Sequence, residues 1–178
     1  MVFFLNIFLF IKKIEKFSKK MYYSRMDTID KQILAHLQKN SSMPLSELSK
    51  KVGLSNTPCW NRIKKLEEDK VIKSRTVILD NKKVNLPITI FLSISIQNHT
   101  EVWLKNFQKV VQKYDEILEV HRLTGSNSDY QITILSPSIE EYDNFQQNLI
   151  KEIECTNMTS QISLHTIKKN NNISLEYI

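Results

Sequence analysis

The residue types best suited to chemistry fall in two clusters. The first is Ser55, Asn56, Thr57, Trp60, Asn61, Arg62, Lys64 and Lys65. It runs from short polar side chains to an amide, a guanidinium and two ammonium groups. Asparagine can pair bidentately with adenine, and arginine with guanine or phosphate. Lysines beyond them suit backbone contacts, which add affinity without reading sequence. A helix starting at Ser55 would also aim its positive end and free backbone donors at a phosphate. The plainer alternative is a charged helix face solvated by water. Trp60 is expected to pack between helices, with contact to a DNA backbone as the alternative, and Cys59 is expected to be a small buried residue. The second cluster is Thr124, Gly125, Ser126, Asn127, Ser128, Asp129 and Tyr130, joined by Ser160 from a later segment. Gly125 permits a sharp turn and close approach of a ligand. Asp129 can pair with an α-amino group, and the hydroxyls of Ser126 and Ser128 with nearby backbone donors can take an α-carboxylate. Its plainer alternative is a hairpin in which Asp129 caps its own turn.

The elements that must position the first cluster are written around Gly53, one of two glycines in the chain. Leu45, Leu48 and Val52 give the apolar stripe of a short helix. Gly53 supplies the left-handed backbone that follows a helix end. Ser55 then caps a second helix, Pro58 fits its first turn, and Ile63 and Leu66 continue its buried face. Two short helices joined through a glycine turn form a helix-turn-helix, whose second helix enters the major groove of DNA. Before it, Asp27 caps a helix with Ile29, Ile33, Leu34 and Leu37 on one face. After it, Val71–Leu79 reads as a strand, a wing, and residues 81–87 as a linker ending at Pro87.

Beyond the linker the periodicity changes. Residues 88–96 alternate as a strand. A helix over 101–114 carries Val102, Trp103, Phe107, Val110 and Val111. Strands follow at 117–123 and 130–135, then a helix from Pro137 to about Glu154, then an alternating run at 158–167. The order β-α-β-β-α-β is the ferredoxin-like split arrangement. The fold class is therefore α+β: an N-terminal winged helix-turn-helix domain over 26–80, joined to a ferredoxin-like βαββαβ domain over 88–178. Residues 173–178 are expected to add an edge strand. Helices on one face of such a sheet leave the other face for a second subunit.

Composition narrows the function classes. The net charge of +6 is uneven: +5 over residues 1–25, +3 over 26–80 and −2 over 81–178. A basic front and slightly acidic back suit a nucleic-acid-binding half joined to a half with another task. Cys59 and Cys155 have no metal-ligand spacing, and His36, His99, His121 and His165 are scattered, so no metal or cofactor is expected and the setting reads as reducing and cytoplasmic. There is no nucleophile motif and no phosphate-cradling glycine loop, so no catalytic residues are expected. Residues 1–25 open with the apolar run MVFFLNIFLFI, about half of the roughly 20 residues that span a bilayer. Lysines follow rather than precede it, unlike a secretory signal. We expect translation to start at Met21 or Met26; an interfacial anchor and an extra helix on a partner subunit are the alternatives.

Four stretches in order resemble the Lrp/AsnC family of leucine- and asparagine-responsive regulators. IDKQILAHLQKN (29–40) resembles its first helix, LSELSKKVGLS (45–55) its second helix and turn, TPCWNRIKKLEEDKVI (57–72) its recognition helix, and LTGSNSDY (123–130) its effector-domain signature. The chain departs from the family at Lys70, where a glycine is usual, and in having three residues, Ser126, Asn127 and Ser128, between the glycine and the DY pair, where two are usual. The resemblance implies a homodimeric transcription regulator, assembling into octamers or larger discs, that binds double-stranded DNA and responds to a small-molecule effector, an amino acid, lodged where the DY turn of one dimer meets a neighbouring dimer. It implies no membrane partner. Two other functions compete. One is an architectural DNA-binding protein that ignores metabolites. The other is an enzyme, since some tetrapyrrole decarboxylases resemble this family in build; those need basic residues around a large cavity, and Arg122 is the one arginine of the back half.

Overall fold

The computed structural model describes residues 26–125 and 128–177 and divides into two compact units. Both the apolar front end and the turn residues Ser126 and Asn127 lie outside the described residues.

The described part of the first unit is 26–76 together with 169–177. Helix α1 (Thr28–Lys39) starts at an extended Asp27, and Asp27 and Asp30 form a reciprocal capping box. Helix α2 (Leu45–Lys51) ends at Val52, and Gly53 follows with φ +70°. There the Leu54 amide donates to the Ser49 carbonyl at 2.8 Å and the Gly53 amide to Lys50 at 3.3 Å, the paired bonds of a Schellman turn. Helix α3 (Asn56–Glu68) begins after Ser55, which has cap geometry but no side-chain cap bond. Ile33, Leu34, Leu48, Val52, Cys59, Ile63 and Leu66 form the buried core, with no solvent contact at Ile33 or Cys59. Cys59, Ile63 and Leu66 leave the opposite stripe of α3 outward.

Helix α3 ends in a second Schellman turn. The Val71 amide donates to Leu66 at 2.9 Å and the Lys70 amide to Glu67 at 3.1 Å. Lys70 occupies the left-handed position itself, at φ 57°, so the turn forms without glycine.

Two expectations change here. No strand forms at 71–79, and Val77, Ile78 and Leu79 are exposed; a strand needs a hydrogen-bonded neighbour, and none of this chain's described strands pairs with this segment. Nor does the C-terminal segment become an edge strand. It returns to the first unit, where the Ile173 amide donates to Gln38 Oε1 at 2.6 Å, Gln38 Nε2 donates back to the Ile173 carbonyl at 3.2 Å, and Leu175 packs on the core.

The second unit is Val77–Lys168. Strands β1 (Ile88–Ser95), β2 (Ile117–Arg122), β3 (Tyr130–Ser136) and β4 (Asn157–Ile162) alternate with helices α4 (Glu101–Val111) and α5 (Ile139–Glu152) in the βαββαβ order. The sheet is antiparallel in the order β2-β3-β1-β4. Ile90, Leu92 and Ile94 of β1, with Ile132 and Ile134 of β3, face the helices with no solvent exposure and meet Phe107, Tyr142, Phe145 and Leu149. Thr100 and Ser138 cap the two helices through their hydroxyls.

Candidate nucleic-acid interface and ligand recess

The exposed stripe of α3 carries Thr57, Trp60, Asn61 and Lys64, spaced i, i+3, i+4, i+7, with Lys65 beside them. Trp60 does not pack between the helices. It is 49% exposed, with Lys64 Nζ 5.3 Å from its ring centroid. The cause is spacing: Cys59 and Ile63 occupy the inward positions, so the residue after Cys59 must turn out. Ser55 and Thr57 are exposed at the helix start.

Two members of the cluster are engaged by the protein itself. The Asn56 side-chain Oδ1 accepts from the hydroxyl of buried Ser49 at 2.8 Å, tying the first turn of α3 back to α2. Arg62 Nη1 lies 2.7 Å from Asp27 Oδ2 and 2.8 Å from Asp30 Oδ1. Asp27 is held below its usual carboxylate range, first by the Asp30 amide it caps and then by Arg62, against an opposing desolvation.

In the second unit an open recess of about 490 Å³ is lined by His99, Arg122, Leu123, Thr124, Gly125, Ser128 and Asp129. Gly125 makes the turn at φ +80°. The Asp129 carboxylate reaches outside its own turn. Its Oδ2 accepts from the Ile96 amide at 2.8 Å, and its Oδ1 lies 3.1 Å from His99 Nε2. The Asp129 amide donates to Ile94 at 2.9 Å, which draws the end of β1 alongside the turn. Thr124, Gly125, Ser128 and Asp129 are thus together, while Ser126 and Asn127 lie outside the described residues.

Tyr130 and Ser160 point elsewhere. Tyr130 is 4% exposed and packs against Phe107 and Trp103 at ring distances of 4.8 and 5.3 Å. It shares the inward parity of Ile132 and Ile134. Ser160 shares that of Met158, pairs with buried Leu92, and bonds Tyr142 Oη at 2.6 Å under α5. Sequence reading did not connect His99 or Arg122 with the recess. His99 comes from the loop after β1, and only the β1–β3 register brings that loop to Asp129.

Comparison with known proteins decides the family. A model described as winged helix-turn-helix DNA-binding matches residues 26–73, and one described as the Lrp/AsnC ligand binding domain matches 89–173. The HTH-type transcriptional regulator Zrp of Zymomonas mobilis is 39% identical over 153 residues, which cover 86% of this chain and 99% of that protein. The chain belongs to the Lrp/AsnC family. It is a DNA-binding transcriptional regulator of the Lrp/AsnC type, with a winged helix-turn-helix and a ligand-binding domain. An AsnC family regulator from Agrobacterium tumefaciens has the same fold at 41% identity and a TM-score of 0.82, covering 86% of this chain and 99% of that one. A Neisseria meningitidis regulator solved as a complex with L-Met has a TM-score of 0.80 at 28% identity, covering 85% of this chain and 98% of that one. Among the described residues, no helix of this Lrp/AsnC protein is long and apolar enough to cross a membrane.

Proposed function

We propose that this regulator is a cytoplasmic homo-oligomer that senses a free amino acid at the Asp129 recess and reads DNA through the outward stripe of α3. The observation that carries the sensing is the joint placement of a carboxylate, Asp129, and a guanidinium, Arg122, on one open recess with the Thr124 hydroxyl. That set is complementary to a zwitterion: the ammonium meets Asp129, and the carboxylate meets Arg122, Thr124 and Ser128. L-Met bound to the Neisseria relative supports an amino acid as the ligand class. Ser55, Asn56, Thr57, Trp60, Asn61, Lys64 and Lys65 form the DNA-facing end and stripe, with the lysines on phosphates and Asn61 on a base edge. Thr89, Phe91 and Ser93 of β1, with Thr133 and Leu135 of β3, form the partly exposed sheet face away from the helices, and a second copy of the chain covers it. Assembly beyond the dimer follows from further contacts of the same domain.

The test is light scattering coupled to gel filtration on the full chain, with each of the common amino acids in turn. A change of assembly mass with one of them is the expected result. If no amino acid changes the mass and calorimetry finds no binding, the sensing reading fails and the architectural reading, DNA binding without an effector, takes its place.

A further inference from the structure

Arg62 sits in the middle of the recognition helix, where a cation would be expected to serve DNA. Its surroundings argue otherwise. Asp27 Oδ1 accepts from the Asp30 amide at 2.9 Å, and Asp30 Oδ2 accepts from the Asp27 amide at 3.3 Å. The remaining oxygens, Asp27 Oδ2 and Asp30 Oδ1, both converge on Arg62 Nη1. All four carboxylate oxygens are therefore assigned, two to the backbone cap and two to one guanidinium nitrogen. Asp30 is buried, and the Arg62 side chain is 31% exposed. Two carboxylates on Nη1 commit that end of the guanidinium within the unit rather than to a phosphate.

From this geometry we propose that Arg62 is a positioning residue, which pins α3 to the capped start of α1 and sets the pitch at which Thr57, Trp60, Asn61 and Lys64 meet DNA. Apolar packing between α1 and α3 is non-directional and tolerates sliding. A bridged pair of carboxylates does not, because charge-assisted hydrogen bonds weaken steeply when misaligned. The same capping box that starts α1 thus also fixes the recognition helix. The proposal rests on α3 being the DNA-contacting helix, so its test must fail separately from that reading.

The experiment measures binding of the full chain to a duplex selected by it from a random pool and to a scrambled duplex of equal length, over a range of salt. Variants are Arg62→Gln, Asp27→Asn with Asp30→Asn, the triple combination, and Asn61→Ala as the control for the reading of α3. Asparagine keeps the cap oxygens, so α1 retains its start. Both the arginine variant and the double aspartate variant should weaken binding to the selected duplex by about tenfold, and the triple variant should be no worse than either, as expected for groups acting as one unit. The salt slope should stay at the wild-type value. The opposite outcome is sharp. If Arg62 contacts DNA and the acids merely hold it back, neutralising them tightens binding. Losing the arginine then lowers the slope by about one and costs as much in the triple variant. Should Arg62→Gln not fold, Asp27→Asn alone carries the same test of sign. Loss of selectivity in Asn61→Ala supports α3 as the reading helix; full selectivity there overturns that reading independently of the clamp.

Discussion

Asp129 can be made to separate scaffold from sensing. Its carboxylate has two tasks: Oδ2 holds the Ile96 amide at 2.8 Å, and the charge faces the recess beside His99. Asp129→Asn keeps an oxygen acceptor for the Ile96 amide and removes the charge, so stability should change by no more than about 0.5 kcal/mol. Asp129→Ala removes the acceptor as well. Ile96 is half-buried, so the orphaned amide costs about 1 kcal/mol, at the low end for a buried donor. In a unit of this size that lowers Tm by about 4–8 °C. For the effector, loss of a charge-assisted bond worth about 1.5–3 kcal/mol weakens binding by roughly 10- to 150-fold, and equally in both variants. Thermal unfolding reads the first quantity, and calorimetry with the amino acid that changes assembly reads the second. Unchanged affinity in Asp129→Asn would leave Asp129 as the acceptor for the Ile96 amide and nothing more. An unchanged Tm in Asp129→Ala would refute the structural role of the Ile96 bond.

Truncation after Lys169 removes the Leu175 contact and the Gln38–Ile173 pair, and should destabilise the first unit by about 1–2 kcal/mol once the regained chain entropy is counted. Hydrogen exchange should speed up in α1 while β1 and β3 keep their protection. Lys70→Gly relieves a left-handed lysine at φ 57°; denaturant unfolding should show a gain of about 0.5–1 kcal/mol. Tyr114 donates to Glu152 Oε1 at 2.6 Å, and that bond, with some burial, pushes its hydroxyl up to about 12 from 10.0. Because the folded value is raised, the protonated form stabilises the fold: the contribution is whole below pH 10.0 and is lost as pH rises towards about 12. Burial raises the Tyr142 hydroxyl as well, so spectroscopic titration should find one fewer late phenol in Tyr114→Phe than in the wild type.

Features governed by neighbours in sequence were legible before any coordinates. Asp27 as a cap, Gly53 as the left-handed end of α2, the α3 stripe of Cys59, Ile63 and Leu66, and the alternation of β1 and β3 all follow from local periodicity and backbone preference. Tyr130 could have been assigned inward on the same grounds, since it is two residues from Ile132; the signature it belongs to drew attention away from its parity. What stayed hidden was set across the chain. Arg62 meets Asp30 over a separation of 32 residues, His99 meets Asp129 over 30, and Gln38 meets Ile173 over 135. No period in the sequence encodes those meetings, because each depends on how two elements dock. The absent strand at 71–79 is the converse case: its residues have the propensity, but a ladder also needs a partner.

The placement of Asn56 and Arg62 bears on how a small reading head can be selective. A helix held only by apolar contacts would keep its cations mobile and bind any duplex through phosphate charge, with affinity that collapses in salt. Here several acids of the first unit are matched within it: Asp27 and Asp30 with Arg62, Glu47 with Lys51, Glu67 with Arg75. Cations spent in this way add little to non-specific attraction. On α3 the exposed cations are Lys64 and Lys65, with Lys64 poised over the Trp60 ring and Glu68 exposed at the far end. A weakly charged, rigidly pitched stripe discriminates better than it holds. The proposed oligomer would supply affinity by presenting several such stripes together, because linked sites turn later contacts into intramolecular ones. On the proposed homo-oligomeric reading, that is the physical reason for a DNA-binding domain of this kind to share a chain with a second domain that pairs with its copies.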